Sequence, residues 1–280
     1  MRSIYRVSRT FRLSVCALVL GAVGIAAASQ GVAQPDEDWE KTNETYFETA
    51  GNHAAVVVEN PHGNIWVRFG GYEDQVEIIA TSQRIEADLP KLIVRRDRVG
   101  EDLHVRVLAE TADIEAPAVR RDRVDLVVFV PIGRRLSLST TDDDIAVKGH
   151  QGDLKVHTVK GNISLRKIKG TLDVSSERGR IVALLESNVT EASQTFESVT
   201  GDIEVTLYED AKHDVAIATS GIISTDFSIE IEHRRFEEPG KHARTSIGGG
   251  GPKLSMTSKR GRISLLRQQK VFTRESEDPS

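Results

Sequence analysis

The chain predicts an all-β fold, a right-handed parallel β-helix or solenoid with an inserted antiparallel hairpin region near its N-terminal end. Three observations lead there. A single pattern, LKVHTVKGNISL from Leu154, is rewritten from Leu172 at a spacing of 18 residues, and again upstream from Leu136. Within each copy, apolar residues alternate with polar ones: Leu154, Val156, Ile163 and Leu165 share one face, while Lys155, His157, Asn162 and Ser164 share the other. Aromatics make up only 5% of the chain, as expected where stacked Val, Ile and Leu fill the interior. One such unit cannot bury its own apolar row, so it needs neighbours above and below. A sequence that repeats the unit meets that need by stacking copies.

In chain order, residues 34–53 are acidic and without clear period, and are expected to form a linker. The solenoid is expected over 54–267. The template is complete for the first time at Val56, Val58, Asn60, Gly63, Ile65 and Val67. Residues 68–135 interrupt it with longer alternating segments that predict hairpins, one turning at Gly100 and the last stopped by Pro131, which has no amide hydrogen for a ladder. The pattern resumes at Leu136, with Asp143 in the usual glycine position. It continues at Leu154, Leu172 and Gln194, runs one residue short at Val215, and closes at Leu254. Residues 268–280 form a polar tail.

Two columns of the template are expected to be structural. Gly63, Gly161, Gly179, Gly201, Gly221 and Gly261 occupy the corner between two strands, where a positive φ would exclude a Cβ. Three positions earlier stand Asn60, Thr140, Thr158, Ser176, Ser198 and Ser258, a polar ladder. Its short side chains can bond to the turn backbone and to their equivalents one coil away.

The first 33 residues predict a secretory signal. Arg2, Arg6, Arg9 and Arg12 precede the apolar run Leu13 to Ala28, and small residues allow cleavage after Ala33. The only cysteine, Cys16, falls inside that run, so the exported chain would carry no thiol or disulfide. After cleavage no further stretch is long and apolar enough to span a membrane. The net charge of −5 becomes −9 once the four arginines leave, with 33 basic against 42 acidic residues, and this disfavours nucleic acid as a partner. The expected location is the periplasm or the cell envelope.

The run VPIGRRLSLSTTDDDIAVKGHQGDLKVHTVKGNISLRKIKGTLDVSSERGRI, together with the closing GGGGPKLSMTSKRGRISL, resembles the bacterial putative-adhesin β-strand-repeat family over about residues 54 to 267. The resemblance implies an exported solenoid at the cell envelope. It brings no catalytic residues to place on this chain.

Little in the sequence points to chemistry. Asp142, Asp143 and Asp144 form an acidic corner that could hold Ca²⁺ but reads better as a solvated turn, and the GGxGxD calcium repeat is absent. Eight histidines lack HExxH spacing; His150 and His157 are the pair placed to approach each other across a coil. No cofactor or metal site is expected. Outward Lys155, His157, Arg166, Asp173, Arg180, Glu204 and Arg262 are candidates for polysaccharide cleavage, yet no spacing selects a carboxylate pair. Outward Trp66 is expected to pack beneath the inserted hairpins, and residues 233–244 read as a solvated loop. The function expected is therefore non-catalytic, an adhesin-like envelope module offering flat polar faces to a glycan or protein partner. The alternatives are a polysaccharide-processing β-helix enzyme and an accessory of envelope-stress signalling.

Overall fold

The structure, a computed structural model, describes residues 40–51, 54–70, 74–85, 89–111, 121–186 and 192–268. The signal segment 1–33 and the tail beyond Gln268 lie outside them. The described residues form strands β1 (Glu40–Thr49), β2 (Ala55–Glu59), β3 (Ile65–Phe69), β4 (Gln75–Arg84), β5 (Leu92–Val99), β6 (Asp102–Ala109) and β7 (Arg123–Val130). There follow β8 (Arg135–Thr140), β9 (Ile145–Lys148), β10 (Leu154–Thr158), β11 (Ile163–Ile168), β12 (Leu172–Ser176), β13 (Ile181–Leu185), β14 (Gln194–Ser198) and β15 (Ile203–Tyr208). The last are β16 (His213–Thr219), β17 (Ile223–Thr225), β18 (Glu230–His233), β19 (Lys241–Ile247), β20 (Lys253–Ser258) and β21 (Ile263–Gln268). They build two sheets, one of ten strands in the order β1-β4-β7-β3-β9-β11-β13-β15-β21-β17 and one of eleven in the order β18-β19-β16-β20-β14-β12-β10-β8-β2-β6-β5. The expected all-β solenoid is present. Each coil gives one strand to each sheet, and the register follows the 18-residue repeat: Leu154 stands between Leu136 and Leu172, and Ile163 between Ile145 and Ile181.

The alternation explains the core. Val56, Leu136, Leu154, Leu172 and Leu254 line the inside of one sheet, and Ile65, Ile145, Ile163, Ile181, Ile203 and Ile263 that of the other, all at 2% exposure or less. Burying such a row removes roughly 1.5–3 kcal/mol per large aliphatic side chain from contact with water. No coil gains this alone.

Three expectations change. Residues 40–49, expected in a linker, are strand β1, which pairs antiparallel with β4 along its whole length, Glu40 opposite Arg84 and Thr49 opposite Gln75. Its alternation was hidden because Glu44 and Glu48 flank Tyr46 on the inward side. Secondly, the inserted region, whose β5–β6 hairpin turns at Gly100 as expected, also extends the stack itself. β6 lies parallel to β2 and β7 parallel to β3, so they act as one more coil, with β5 and β4 added antiparallel outside them. Thirdly, the coil from Leu254 does not close the stack. β20 and β21 sit directly on β14 and β15, and the Val215 coil is displaced outward onto them. The complete template of the Leu254 coil can bury both of its sides. The short coil, whose β17 has three partly exposed residues, suits an outer position.

The corner glycines are needed for a reason other than the expected one. Among the six, only Gly63 has a positive φ, +156°. At the others a side chain is excluded by the next coil. A Cβ at Gly179 would lie 1.7 Å from the carbonyl oxygen of Gly161, and one at Gly161 the same distance from that of Asp143; Gly201, Gly221 and Gly261 meet neighbouring carbonyls at 2.1–2.3 Å. Positive φ belongs instead to the opposite corner, at Gly152 (+142°) and Gly170 (+121°), which are themselves 18 residues apart.

The polar ladder is buried throughout, with exposures from 0 to 7%. Its bonds run to backbone. The Gly161 N–H donates to Thr158 Oγ1 at 3.1 Å, and the Gly261 N–H donates to Ser258 Oγ at 2.9 Å while that hydroxyl donates to the Gly201 carbonyl at 3.0 Å. Asn60 Nδ2 reaches the Val124 carbonyl at 2.7 Å. The hydroxyls of Thr140, Ser176 and Ser198 have no such bond, so the expected bonding between equivalents does not form there. Thr219 is a further member. It donates to the Gly261 carbonyl at 2.7 Å and accepts from the Gly221 N–H at 2.9 Å. It stands two residues before its glycine, the mark of the missing residue in that coil.

Candidate functional site

With the inner rows committed to the core, chemistry is left to the outer faces and corners. On the eleven-stranded sheet the register aligns Val57, Ser137, Lys155, Asp173, Thr195 and Ser255 in one row. The next row holds Glu59, Ser139, His157, Ser175, Glu197 and Thr257. Adjacent strands stand about 4.8 Å apart, so these rows repeat short hydrogen-bonding groups at that interval. Lys155 Nζ lies 3.7 Å from Asp173 Oδ2, and His157 Nδ1 lies 2.9 Å from Ser175 Oγ. Where β8, β10 and β12 begin, a shallow groove of about 270 Å³ is lined by Ala55, Leu136 and Leu154 together with Arg135, Ser137, Asp153, Lys155, Thr171 and Asp173. Its exposed surface is mainly carbon with few polar atoms, so the groove offers apolar contact beside a small number of hydrogen-bonding groups.

The other candidates are dispersed. Asp173 belongs to this sheet, whereas Glu204 lies on the ten-stranded sheet and is engaged by Arg180 at 2.6 Å. These two outward carboxylates cannot flank one glycosidic bond. His157 faces outward, while His150 is buried at 3% exposure between β9 and β10, so the pair does not converge. Burial pushes the His150 imidazole below the ordinary histidine range, despite backbone hydrogen bonds at Asp153 and Arg134.

The acidic corner is absorbed into structure. Asp142 meets Lys160 Nζ at 2.9 Å, Asp143 lies 3.6 Å from Arg123, and Asp144 Oδ1 accepts the Asn162 N–H at 2.7 Å. Burial raises Asp143 above the usual carboxylate range, and Arg123 only partly opposes it. Among the described residues no three His, Cys, Asp or Glu side chains are grouped to hold a metal. Asp144 belongs to a column that the sequence reading missed. The Asp144 N–H donates to Asn64 Oδ1 at 3.0 Å, the Arg180 N–H to Asn162 Oδ1 at 3.1 Å, and the Arg262 N–H to Asp202 Oδ1 at 2.8 Å. An Asn or Asp just after Gly63, Gly161 and Gly201, and Asp144 after Asp143, was its available signal.

Trp66 lies beside the inserted region within the sheet. In register it stands between Val127 of β7 and Ala146 of β9, in the same sheet. Residues 233–244 span the end of β18, its turn and the start of β19, and that hairpin leaves Phe236 fully exposed. The four glycines at 248–251 make a tight turn, closed by a 3.1 Å bond from the Gly250 N–H to the Ile247 carbonyl. No helix among the described residues is long and apolar enough to cross a membrane.

Fold and faces thus define a β-solenoid whose eleven-stranded sheet carries a largely polar outer face. No family model and no curated protein matches the chain. Among solved structures it is similar to a "putative cell adhesion protein" from Clostridium sporogenes ATCC 15579, at 11% identity and a TM-score of 0.46, over 82% of this chain and 100% of that one. It is also similar to a "putative adhesin" from Bacteroides fragilis NCTC 9343, at 10% identity and a TM-score of 0.37, over 80% of this chain and 96% of that one.

Proposed function

We propose that the protein is a non-catalytic binding and scaffolding module of the cell envelope, and that the outer face of its eleven-stranded sheet receives a glycan or a protein surface. The observation that supports this reading most is the registered double row from Ser137 and Ser139 to Ser255 and Thr257. It offers hydroxyl, imidazole, ammonium and carboxylate groups over several strands without a deep cleft. An extended ligand lying across the strands meets a similar set of groups at each coil. Weak contacts then add along its length, as in other cases of linked binding. The signal-like N-terminus supports export. Incubating the protein with envelope glycans, peptidoglycan included, tests the reading by following retention and released products. Retention that is lost in Lys155→Glu and Ser175→Arg variants is the expected result. Release of shorter products would replace the reading with an enzyme.

A further inference from the structure

The opposite face carries a different pattern. On the ten-stranded sheet, Arg68 of β3, Lys148 of β9 and Arg166 of β11 stand side by side in register. Like charges directly opposite on neighbouring strands destabilise a sheet. None of the three makes an ion pair among the described residues, although the chain as a whole carries net charge −5. The nearest charged residues on that face do not relieve them: Glu204 and Glu186 pair with Arg180 and Lys169, and Glu77 is separated from Arg68 by Phe129 in the same row. The row continues through Phe129 and Glu77 to Phe47, which is 54% exposed. Beside it runs an apolar row of Ile79, Val127 and Trp66, all partly exposed on the outer face. Phe69, 56% exposed, projects at the corner where β3 ends.

An exposed apolar surface beside unpaired cations, with Glu77 interrupting its aromatic row between Phe129 and Phe47, marks an interaction site. An acidic glycan would satisfy the cations but leave Phe47 and Trp66 in water. A neutral apolar partner would leave the cations uncompensated. A lipid bilayer with anionic headgroups offers fixed negative charge and an apolar phase together, and aromatic side chains with basic neighbours settle at such an interface. We infer that this end of the ten-stranded sheet docks on an anionic membrane surface, with Trp66, Phe129 and Phe47 at the acyl boundary and Arg68, Lys148 and Arg166 on headgroups. The inference is independent of the ligand proposed for the eleven-stranded face.

Vesicle flotation of the protein, purified as its cell processes it, tests the docking. Binding to phosphatidylglycerol vesicles is expected at low salt, with little to phosphatidylcholine and loss as salt rises. Reversing the row (Arg68→Glu, Lys148→Glu, Arg166→Glu) should lower the bound fraction at least tenfold, and Trp66→Ser should lower it too. Lys155→Glu, on the other face, should leave it unchanged. Thermal melting of each variant separates lost docking from lost folding, and the single variants serve if the triple does not fold. Equal flotation of the parent and the reversed variants, or no flotation of the parent, would overturn the inference. So would retention on an acidic polysaccharide in place of vesicles.

Discussion

The middle of the stack and its ends solve the same problem by opposite means. From β8 to β15 every strand has a neighbour on both sides, and inner rows mostly of Leu, Val and Ile repeat from coil to coil, with Ala183, Gln194 and Phe196 as departures. At the N-terminal end the last strands, β1 and β5, have a free edge, and their inward positions change character. Glu44, Tyr46 and Glu48 of β1 stand opposite the buried Ala80, Ile78 and Val76, while Arg96 and Arg98 of β5 stand opposite Val105 and Leu103. The Arg96 guanidinium lies 3.8 Å over the Tyr46 ring and 3.9 Å from Glu48, and Arg98 donates to the Thr49 carbonyl. A charged layer therefore closes the core. Inward-pointing charge on an edge strand discourages pairing with another sheet. Where a coil has two neighbours the sequence repeats, and where it has one the sequence departs from the repeat.

The largest effect expected from this contrast is at Gly179. Its Cβ would lie 1.7 Å from a backbone carbonyl held in place by coils on both sides, so Gly179→Val should cost more than about 3 kcal/mol and sharply reduce soluble protein. Gly100, at the free tip of the β5–β6 hairpin, has nothing within 4 Å of the point where a Cβ would stand, and only its φ of +64° to lose. Gly100→Ala should cost about 1 kcal/mol. Thermal melting of the two variants measures the difference, and equal losses would mean that the stack yields as readily as its end.

A smaller contrast lies inside the polar ladder. Ser258 Oγ both donates and accepts, while Ser176 Oγ is buried without a partner. Ser258→Ala should cost about 1–3 kcal/mol, and Ser176→Ala should be neutral or stabilising by up to about 1 kcal/mol, because removing an unsatisfied buried hydroxyl removes its desolvation cost. Denaturant titration resolves a gap of that size. At the end of the stack, Arg96→Val with Arg98→Val should replace the charged layer with an apolar one. Sedimentation velocity should then show more self-association than in the parent. An unchanged distribution would show that something other than the inward arginines protects the edge.

These differences also explain how much was legible in the sequence. Stacking forces Leu154 and Leu172, Ile163 and Ile181 into the same environment, so an 18-residue copy is visible without coordinates. β1 was not legible, because an edge strand with Glu44 and Glu48 inward has no apolar alternation to find. The displaced order of the last two coils was also hidden. Nothing in a linear template states which copies touch, and only the shortness of the Val215 coil hinted that it would stand outside. For the candidate site, the outward columns could be placed by alternation alone. The pairing of Arg180 with Glu204 and the isolation of Arg68, Lys148 and Arg166 depend on which strands lie beside each other. The role of the corner glycines was misjudged for a related reason: what excludes their Cβ is a carbonyl from the next coil, and local conformation carries no trace of it.

The smallest expected effect concerns pH, and it compares a histidine in the regular stack with one in the displaced coil. His150 lies between β9 and β10 at 3% exposure, and His213 opens β16 at 2%, with Nδ1 3.3 Å from the Pro252 carbonyl. Burial lowers both below the ordinary histidine range. As pH falls from neutral through that range, the unfolded chain takes up protons that the folded chain refuses, so stability falls. Asp143, raised by burial, acts with the opposite sign and only in the acid range, where the folded chain binds its proton first. Melting temperatures followed from about pH 7.5 to 5.5, the histidine window, should therefore decline in the parent. The slope should shrink in His150→Gln and in His213→Gln, and shrink most in the double variant. A larger share for His150 would show that the continuous stack holds its buried imidazole more rigidly than the outer coil does. A larger share for His213 would mean that the displaced coil, despite its short edge strand, opens no more readily to protonation than the centre.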